Sequence, residues 1–89
     1  MTNLFYVYIL KCKDNSLYTG YTDSLDKRLK KHNDGKASKY TRSRLPVQMV
    51  YYEEHPDKSS AMKREIKIKS LSRENKIKLV EEALHEPII

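Results

Sequence analysis

Two short hydrophobic segments near the start of the chain have the composition of β-strands. Residues 5–10 (FYVYIL) and 17–22 (LYTGYT) are rich in aromatic and β-branched side chains, and each is too short for a helix. The turn-forming residues 13–16 separate them, so the pattern predicts a β-hairpin. Gly20 lies inside the second strand, where a glycine indicates a bulge or the close approach of another group.

A helix is predicted directly after the hairpin. Leu25, Leu29 and His32 fall on one stripe at helical spacing, and Arg28 lies at the edge of that stripe. Asp23 or Ser24 is suited to cap the beginning of this helix, and Gly35 to end it in a left-handed conformation.

The second half of the chain predicts one more strand and two more helices. Residues 36–44 read as a basic loop, Pro46 opens a strand over residues 47–52, and Ser59 or Ser60 caps a helix that ends near Lys69. A final helix covers residues 73–85. The order ββαβαα predicts an α+β fold, with a small three-stranded sheet flanked by helices. We expect one domain over residues 1–89, with its core in residues 5–71.

Composition excludes several classes of protein. No run of about 18 apolar residues is present, which argues against a membrane-spanning helix, and residues 1–10 do not have the pattern of a secretory signal. The single Cys12 cannot form an internal disulfide, and with three scattered His it does not make a structural zinc site. We therefore expect a cytoplasmic protein with no membrane partner, in which Cys12 is a buried apolar residue.

The excess positive charge lies in one segment. Residues 27–44 carry eight Lys and Arg side chains against a single Asp, a net charge of +7, whereas the whole chain carries +6. Together with Tyr40 and nearby hydroxyl groups, this imbalance favours binding of a polyanion over a surface that only maintains solubility. Charge alone does not distinguish DNA from RNA or from an anionic membrane surface.

Glu65 occupies a position that local rules do not explain. It lies three or four residues from Ala61, Met62 and Ile68, which form the apolar side of the predicted helix. Glu65 is therefore expected to point with them towards the protein core and not towards water. A partly buried carboxylate is costly unless it is paired or holds a cation. A structural ion pair and a metal-binding or catalytic role both remain open.

Tyrosines on the two hairpin strands form another candidate cluster. Tyr6 and Tyr8 share one face of the first strand, and Tyr18 and Gly20 share one face of the second. The hairpin register is not fixed by the sequence. If the residue numbers of two directly opposed residues add to an even number, Tyr8 and Tyr18 lie on the same face of the sheet. Ordinary aromatic packing is the alternative to a functional role.

Taken together, these residues resemble the GIY-YIG nuclease domain of the short stand-alone bacterial type, UPF0213-like. Tyr6-Val7-Tyr8 and Tyr18-Thr19-Gly20 stand at the two tripeptides that name the family. Arg28 follows Gly20 by eight residues, His32 follows Arg28 by four, and Glu65 lies on a later helix, as in the family. The sequence departs from the pattern at Tyr6, which replaces a Gly, and at Thr19, which replaces an Ile.

The resemblance implies a site and a reaction. The implied catalytic residues are Tyr8, Tyr18, Arg28, His32 and Glu65. Glu65 would bind one Mg²⁺ or Mn²⁺ ion, and Gly20 would leave room for the phosphate or the neighbouring helix. The implied activity is hydrolysis of DNA phosphodiester bonds by an endonuclease that selects DNA structure rather than sequence, in DNA repair or processing. Tyr18 is the first candidate for the general base, with Tyr8 and His32 as competitors.

The resemblance and the charge together imply a surface that holds the nucleic-acid backbone. Its candidate residues are Lys31, Lys36, Lys39, Tyr40, Arg42, Arg44 and Lys69. DNA is the expected partner, branched and single-stranded forms included, with RNA as an alternative. Larger relatives select their target with a separate DNA-binding domain, which we do not expect within these 89 residues. A protein partner that directs the enzyme to its target is therefore a further expectation. A catalytically idle nucleic-acid-binding module on the same fold is the alternative function.

Overall fold

Three antiparallel strands form the centre of the protein. The computed structural model describes residues 4–84. β1 (Phe5–Lys11) pairs with β2 (Leu17–Thr22) on one side and with β3 (Gln48–His55) on the other, in the order β2-β1-β3. The predicted hairpin and third strand are confirmed. β3 runs three residues beyond the predicted end at Tyr52, because β1 offers pairing partners along its full length, up to Phe5 opposite His55.

The hairpin register places the tyrosines on one face. Tyr8 lies opposite Gly20, and Leu10 lies opposite Tyr18. Residues that are directly opposite in an antiparallel pair share a face, and so do residues two apart on one strand. Tyr8, Gly20 and Tyr18 therefore face the same side of the sheet, as an even register requires.

Four helices surround the sheet. They are α1 (Leu25–Asn33), α2 (Lys39–Arg42), α3 (Lys58–Lys69) and α4 (Arg73–Leu84). The three long helices are confirmed, and the predicted end of the last one at residue 85 lies outside the described residues. The prediction of a loop over residues 36–44 is wrong at its centre, where α2 forms, so the order is ββααβαα.

Side-chain capping explains where two of these helices begin. The hydroxyl of Ser38 accepts hydrogen bonds from the backbone N–H groups of Tyr40 and Thr41, which starts α2. The carboxylate of Asp57 accepts from the N–H of Ser60 at 2.8 Å, so Asp57, and not Ser59 or Ser60, caps α3. Ser38 and Asp57 are both short polar residues of the kind that caps helices. Because several such residues stand close together in each segment, the sequence alone does not show which of them is the cap.

Each face of the sheet has its own apolar core. On one face, Val7 and Ile9 pack with Ala61 and Ile68 of α3. On the other face, Tyr8, Leu10, Cys12 and Val47 form a buried cluster, against which Leu25 and Leu29 of α1 pack. The helices thus lie on both sides of the sheet, and β1 contributes to both cores through its alternating side chains.

Two expectations about individual positions have different outcomes. Cys12 is buried, as expected. Met62, which was expected to face the core with Ala61, is 40% exposed. Among the described residues, no helix is long and apolar enough to cross a membrane.

Candidate active site

A cavity of about 370 Å³ opens where β1, β2, α1 and α3 meet. Four of the five predicted catalytic side chains line it. The full lining consists of Phe5, Tyr8, Tyr18, Gly20, Tyr21, Thr22, Asp23, Arg28, Lys58 and Glu65. These positions come from four elements, so only the folded chain brings them together.

His32, the fifth predicted residue, lies behind Tyr8. It is 1% exposed, and its Nε2 lies 2.8 Å from the hydroxyl oxygen of Tyr8. Its Nδ1 lies 2.8 Å from the hydroxyl oxygen of Thr41 in α2. His32 therefore joins the cavity wall to α2 through two hydrogen bonds.

The ring of His32 is neutral at pH 7. Burial, with the neighbouring charges of Arg28 and Lys31, lowers the pKa of His32 to about 4. An Nδ1–H on His32 matches this geometry, because the Thr41 hydroxyl, which accepts from it, can donate its own hydrogen to the carbonyl oxygen of Ser38 at 3.4 Å. In that tautomer Nε2 is the acceptor for the hydroxyl of Tyr8.

The phenol of Tyr8 is held firmly in its protonated form. Burial, and after it the neighbouring Tyr18, keep the pKa of Tyr8 well above its ordinary value, while the positive charge of Arg28 acts in the opposite direction. Tyr8 is 2% exposed but lines the cavity. In the His32 tautomer with Nδ1–H, the Tyr8 proton points to His32, and the oxygen lone pairs remain for a group in the cavity.

Gly20 provides the space that the Tyr8 ring occupies. A β-carbon at this position would lie 2.5 Å from the Tyr8 hydroxyl oxygen and 2.7 Å from the ring carbon that bears it. Atoms do not approach so closely without a displacement. The close approach predicted from the sequence is therefore made by Tyr8, across the hairpin.

Tyr18 is supported by a stack of side chains from the basic segment. Its ring stacks on Tyr40 at a centroid distance of 6.0 Å and an interplanar angle of 26°, and it meets His32 edge-on at 5.2 Å. The guanidinium carbon of Arg44 lies 3.9 Å from the centroid of Tyr40. Asp14 and the backbone oxygen of Tyr40 in turn accept hydrogen bonds from Arg44.

Glu65 places a carboxylate at the edge of the cavity. Its side chain is 15% exposed, and one carboxylate oxygen lies 3.5 Å from Nζ of Lys69. Asp23 is the other carboxylate in the lining. No cluster of three or more His, Cys, Asp and Glu forms among residues 4–84. The donor set therefore fits a Mg²⁺ ion that keeps most of its water, and not one enclosed by protein ligands.

The predicted nucleic-acid-binding residues divide into two groups. Lys31, Lys36, Lys39 and Arg42 are exposed around α1 and α2. The other three are engaged within the protein, since Lys69 pairs with Glu65 and Arg44 covers Tyr40.

Sequence reasoning missed three residues of this region. Lys58 lines the cavity from the first position of α3, and Asp23 lines it beside β2. Thr41 is fully buried and completes the hydrogen bonding of His32. A buried threonine in a predicted basic loop gives no signal of its own. The departure from the motif at Tyr6 leaves the lining unchanged, because Tyr6 packs edge-on against Tyr52.

A larger groove of about 700 Å³ lies elsewhere, between α4 and the ends of the strands. Its walls include the aliphatic residues Leu17, Val50, Ile77 and Val80. None of the predicted catalytic residues borders it, so we place the candidate chemistry in the smaller cavity.

Comparison with known proteins gives the class to which this fold and cavity belong. Residues 4–78 match the family model described as the GIY-YIG catalytic domain. The chain belongs to this family, which confirms the resemblance seen in the sequence.

Within the family, the similar proteins are UPF0213 proteins. One from Staphylococcus haemolyticus is 57% identical over 77 residues, which cover 86% of this chain and 94% of the relative. One from Bacillus licheniformis is 52% identical over 87 residues, which cover 98% of this chain and 90% of the relative.

Two solution NMR structures share the fold. That of a UPF0213 protein from Bacillus halodurans is 51% identical, with a TM-score of 0.57 over 88% of this chain and 83% of the other. That of a protein from E. faecalis is 36% identical, with a TM-score of 0.64 over 100% of this chain and 97% of the other. The predicted fold class is confirmed.

Proposed function

We propose that this protein is an endonuclease that hydrolyses phosphodiester bonds in DNA. The observation that carries the proposal is the convergence of Tyr8, Tyr18, Arg28 and Glu65 on one cavity, with His32 bonded behind Tyr8. Family membership supports the same conclusion, since the matched model is that of a catalytic domain. A role in DNA repair or processing and selectivity for DNA structure are parts of this proposal.

Arg28 and Lys58 are the two cations in the cavity that would face the phosphate at the point of cleavage. Both line the cavity, one from each flanking helix. The guanidinium of Arg28 matches the geometry of two phosphate oxygens and neutralises the charge that grows on them in the transition state. Lys58 adds a second positive charge to the same space.

Glu65 is the residue that would hold a divalent cation. Its carboxylate borders the cavity and is mostly withdrawn from solvent. The chemistry that a bound Mg²⁺ or Mn²⁺ would supply here is Lewis-acid stabilisation of the negative charge on the phosphoryl and 3′ oxygens. Lys69 balances the charge of Glu65 in the absence of the cation.

Tyr8 and His32 form the route by which the attacking water loses its proton. The water passes a proton to the Tyr8 oxygen while Tyr8 passes its own proton to Nε2 of His32. Tyr8 stays neutral throughout, so its raised pKa is no obstacle. A bound phosphate offsets Arg28 and Lys31, whose charges help to keep the pKa of His32 at about 4. The new bond joins the water oxygen to phosphorus, the bond to the 3′ oxygen breaks, and the 3′ oxygen takes up a proton from solvent to become a hydroxyl.

The test is a cleavage assay on flaps, forks, junctions, plain duplex and single strands, with and without Mn²⁺. We expect Glu65→Gln and Arg28→Ala each to lower the cleavage rate by about 100-fold or more while binding survives. Glu82→Gln and Lys78→Ala are matched controls, since both side chains are exposed and lie outside the cavity lining and outside the basic segment 27–44. Wild-type cleavage by Glu65→Gln would contradict the cation site.

Two further outcomes are informative. Tyr8→Phe should be more damaging than Tyr18→Phe if Tyr8 receives the proton, and the reverse order assigns that role to Tyr18. Salt-sensitive binding without any product, in Mg²⁺ or Mn²⁺, would replace the endonuclease with the idle nucleic-acid-binding module. Cleavage of RNA alone would correct the substrate.

A further inference from the structure

We propose that α2 is a positioning element of the candidate active site, in which Thr41 fixes the tautomer of His32 and Tyr40, held by Arg44, fixes the ring of Tyr18. The catalytic consequence rests on the proposed function. The structural part of the proposal does not, because it can be measured on the folded protein without any substrate.

The contact through Thr41 controls the proton of His32. Thr41 is fully buried, its hydroxyl lies 2.8 Å from Nδ1 of His32, and its own proton goes to the carbonyl of Ser38. A neutral imidazole carries one N–H, and a partner that accepts at Nδ1 keeps that hydrogen there. Nε2 is left free to accept from Tyr8. Without Thr41, the other tautomer would direct an N–H at the phenol and block the transfer.

The contact through Tyr40 controls the position of the second phenol. Tyr40 is 38% exposed, yet its ring lies between Tyr18 and the guanidinium of Arg44. Arg44 is itself fixed by hydrogen bonds to Asp14, to the backbone oxygen of Tyr40 and to Ser43. Tyr40 and Arg44 thus support the Tyr18 ring, although neither of them lines the cavity. Arg44 therefore has a structural role in addition to the phosphate binding predicted from the sequence.

The same helical turn also carries exposed cations. Lys39 and Arg42 flank Tyr40 and Thr41 in sequence and are exposed. A helix of four residues has little stability of its own, and α2 depends on its Ser38 cap and on these packing contacts. Docking of a polyanion on α2 therefore acts on the element that orients both phenols, so substrate binding and alignment of the site are coupled.

The first experiment measures the His32 ring nitrogens by ¹⁵N NMR in three forms of the full chain. We expect the wild type and Thr41→Ser to show one neutral tautomer with the hydrogen on Nδ1. Thr41→Val should show a mixture, or the hydrogen on Nε2. A wild-type hydrogen on Nε2, or an unchanged spectrum in folded Thr41→Val, would overturn the assignment. This result is independent of nuclease activity.

The second experiment addresses Tyr18 and the catalytic consequence. Tyr40→Ala should shift the ring-proton signals of Tyr18, and Tyr40→Phe should preserve them. In cleavage, Thr41→Val should lower kcat by about 10-fold with little change in KM and alter the pH profile, and Thr41→Ser should restore both. Lys39→Gln should instead raise KM and leave the His32 tautomer unchanged. Equal kcat values in wild type and Thr41→Val would refute the positioning role, while the NMR result would still stand.

Discussion

Thr19 contains a buried hydroxyl that has found no partner. It is 4% exposed, and its Oγ1 makes no hydrogen bond within residues 4–84. It pairs with Ile9 on the face of the sheet opposite Tyr18. A buried hydroxyl without a partner destabilises the folded state, and at this position the family motif has an aliphatic residue.

We predict that Thr19→Val raises the free energy of unfolding by about 1 kcal/mol. Valine keeps the shape of threonine and removes the hydroxyl, so the change tests the missing hydrogen bond alone. Urea unfolding of wild type and variant measures it. Thr19→Ser is the control, since it keeps the hydroxyl, loses a methyl group and should be less stable than either. A less stable Thr19→Val would show that the hydroxyl has a partner.

His32 makes stability depend on pH. In the unfolded chain its pKa is about 6.5, and in the folded protein it is about 4, so between these values the unfolded state binds more protons. Its contribution to stability is therefore complete above pH 6.5 and is lost as the pH falls towards 4.

We expect this loss to reach about 3 kcal/mol at pH 4. Urea unfolding at several pH values, on wild type and His32→Gln, isolates it because the other titrating groups are common to both proteins. The stability advantage of the wild type should shrink on acidification. A difference that stays constant from pH 7 to pH 4 would contradict the low pKa of His32.

For single residues, the sequence predicted the face of a helix or strand on which a side chain lies better than it predicted the hydrogen-bond partner of that side chain. Helical spacing placed His32 on the apolar stripe of α1, because periodicity depends only on local geometry. A shared face for Tyr8 and Tyr18 followed only from an even hairpin register, which the sequence left open. The hydrogen bond from His32 to Thr41 was not predictable, since the two residues lie nine positions apart on different helices. The roles of the site residues came from family resemblance, and they stay predictions.

Among the helices, α3 matters most for the candidate site, since it carries both Glu65 and Lys58. Its first turn is capped by Asp57, whose carboxylate accepts from the Ser60 N–H. The same bond and Lys63 keep the pKa of Asp57 below its ordinary value, with Ser60 as the main cause. The carboxylate is therefore ionised at neutral pH, which also suits the positive end of the helix.

We predict that Asp57→Ala lowers the free energy of unfolding by about 1 kcal/mol. Ser59→Ala should have a much smaller effect, although Ser59 was a predicted cap, because it lies exposed inside the helix. Thermal or urea unfolding of both variants checks the difference. Equal destabilisation by the two substitutions would mean that capping does not determine the stability of α3.

Long elements were predictable, and short ones were not. Strands and helices with several periodic positions were placed to within a few residues. α2 has only four residues and no apolar periodicity, and it forms because of its Ser38 cap and its contact with His32. The end of β3 was missed for a similar reason, since pairing with β1 extends it beyond its own apolar run.

Over the whole molecule, positive charge is unevenly distributed. The surplus of positive charge lies in residues 27–44, of which Arg28 lines the cavity. Contacts between Lys or Arg and phosphates release counterions, so affinity for nucleic acid falls steeply with salt.

We predict that the double variant Lys39→Gln/Arg42→Gln weakens the salt dependence of oligonucleotide binding. The slope of log K against the logarithm of the salt concentration should become smaller in magnitude by about two, one for each phosphate contact that is lost. Titrations by fluorescence anisotropy at several salt concentrations measure it. Lys11→Gln/Lys78→Gln removes the same charge from exposed positions outside the cavity lining and should leave the slope nearly unchanged. Equal slopes for the two double variants would show that binding responds only to net charge.

The arrangement of the whole molecule was only partly predictable. The sequence indicated the elements and their class, but the order β2-β1-β3 depends on contacts between residues 37 or more positions apart, which local patterns do not report. The cavity has the same origin, because its walls combine β2 with α3, which are far apart in the sequence.

The first strand in the sequence is also the middle strand of the sheet, and this has a consequence for a newly made chain. Synthesis delivers Tyr8, Tyr18 and Arg28 early, but β3 and the carboxylate of Glu65 appear only in the second half. A nascent chain on the ribosome, surrounded by RNA, therefore lacks both the completed sheet and the acid. If the proposed endonuclease activity depends on Glu65, we expect cleavage to begin only after translation has passed α3.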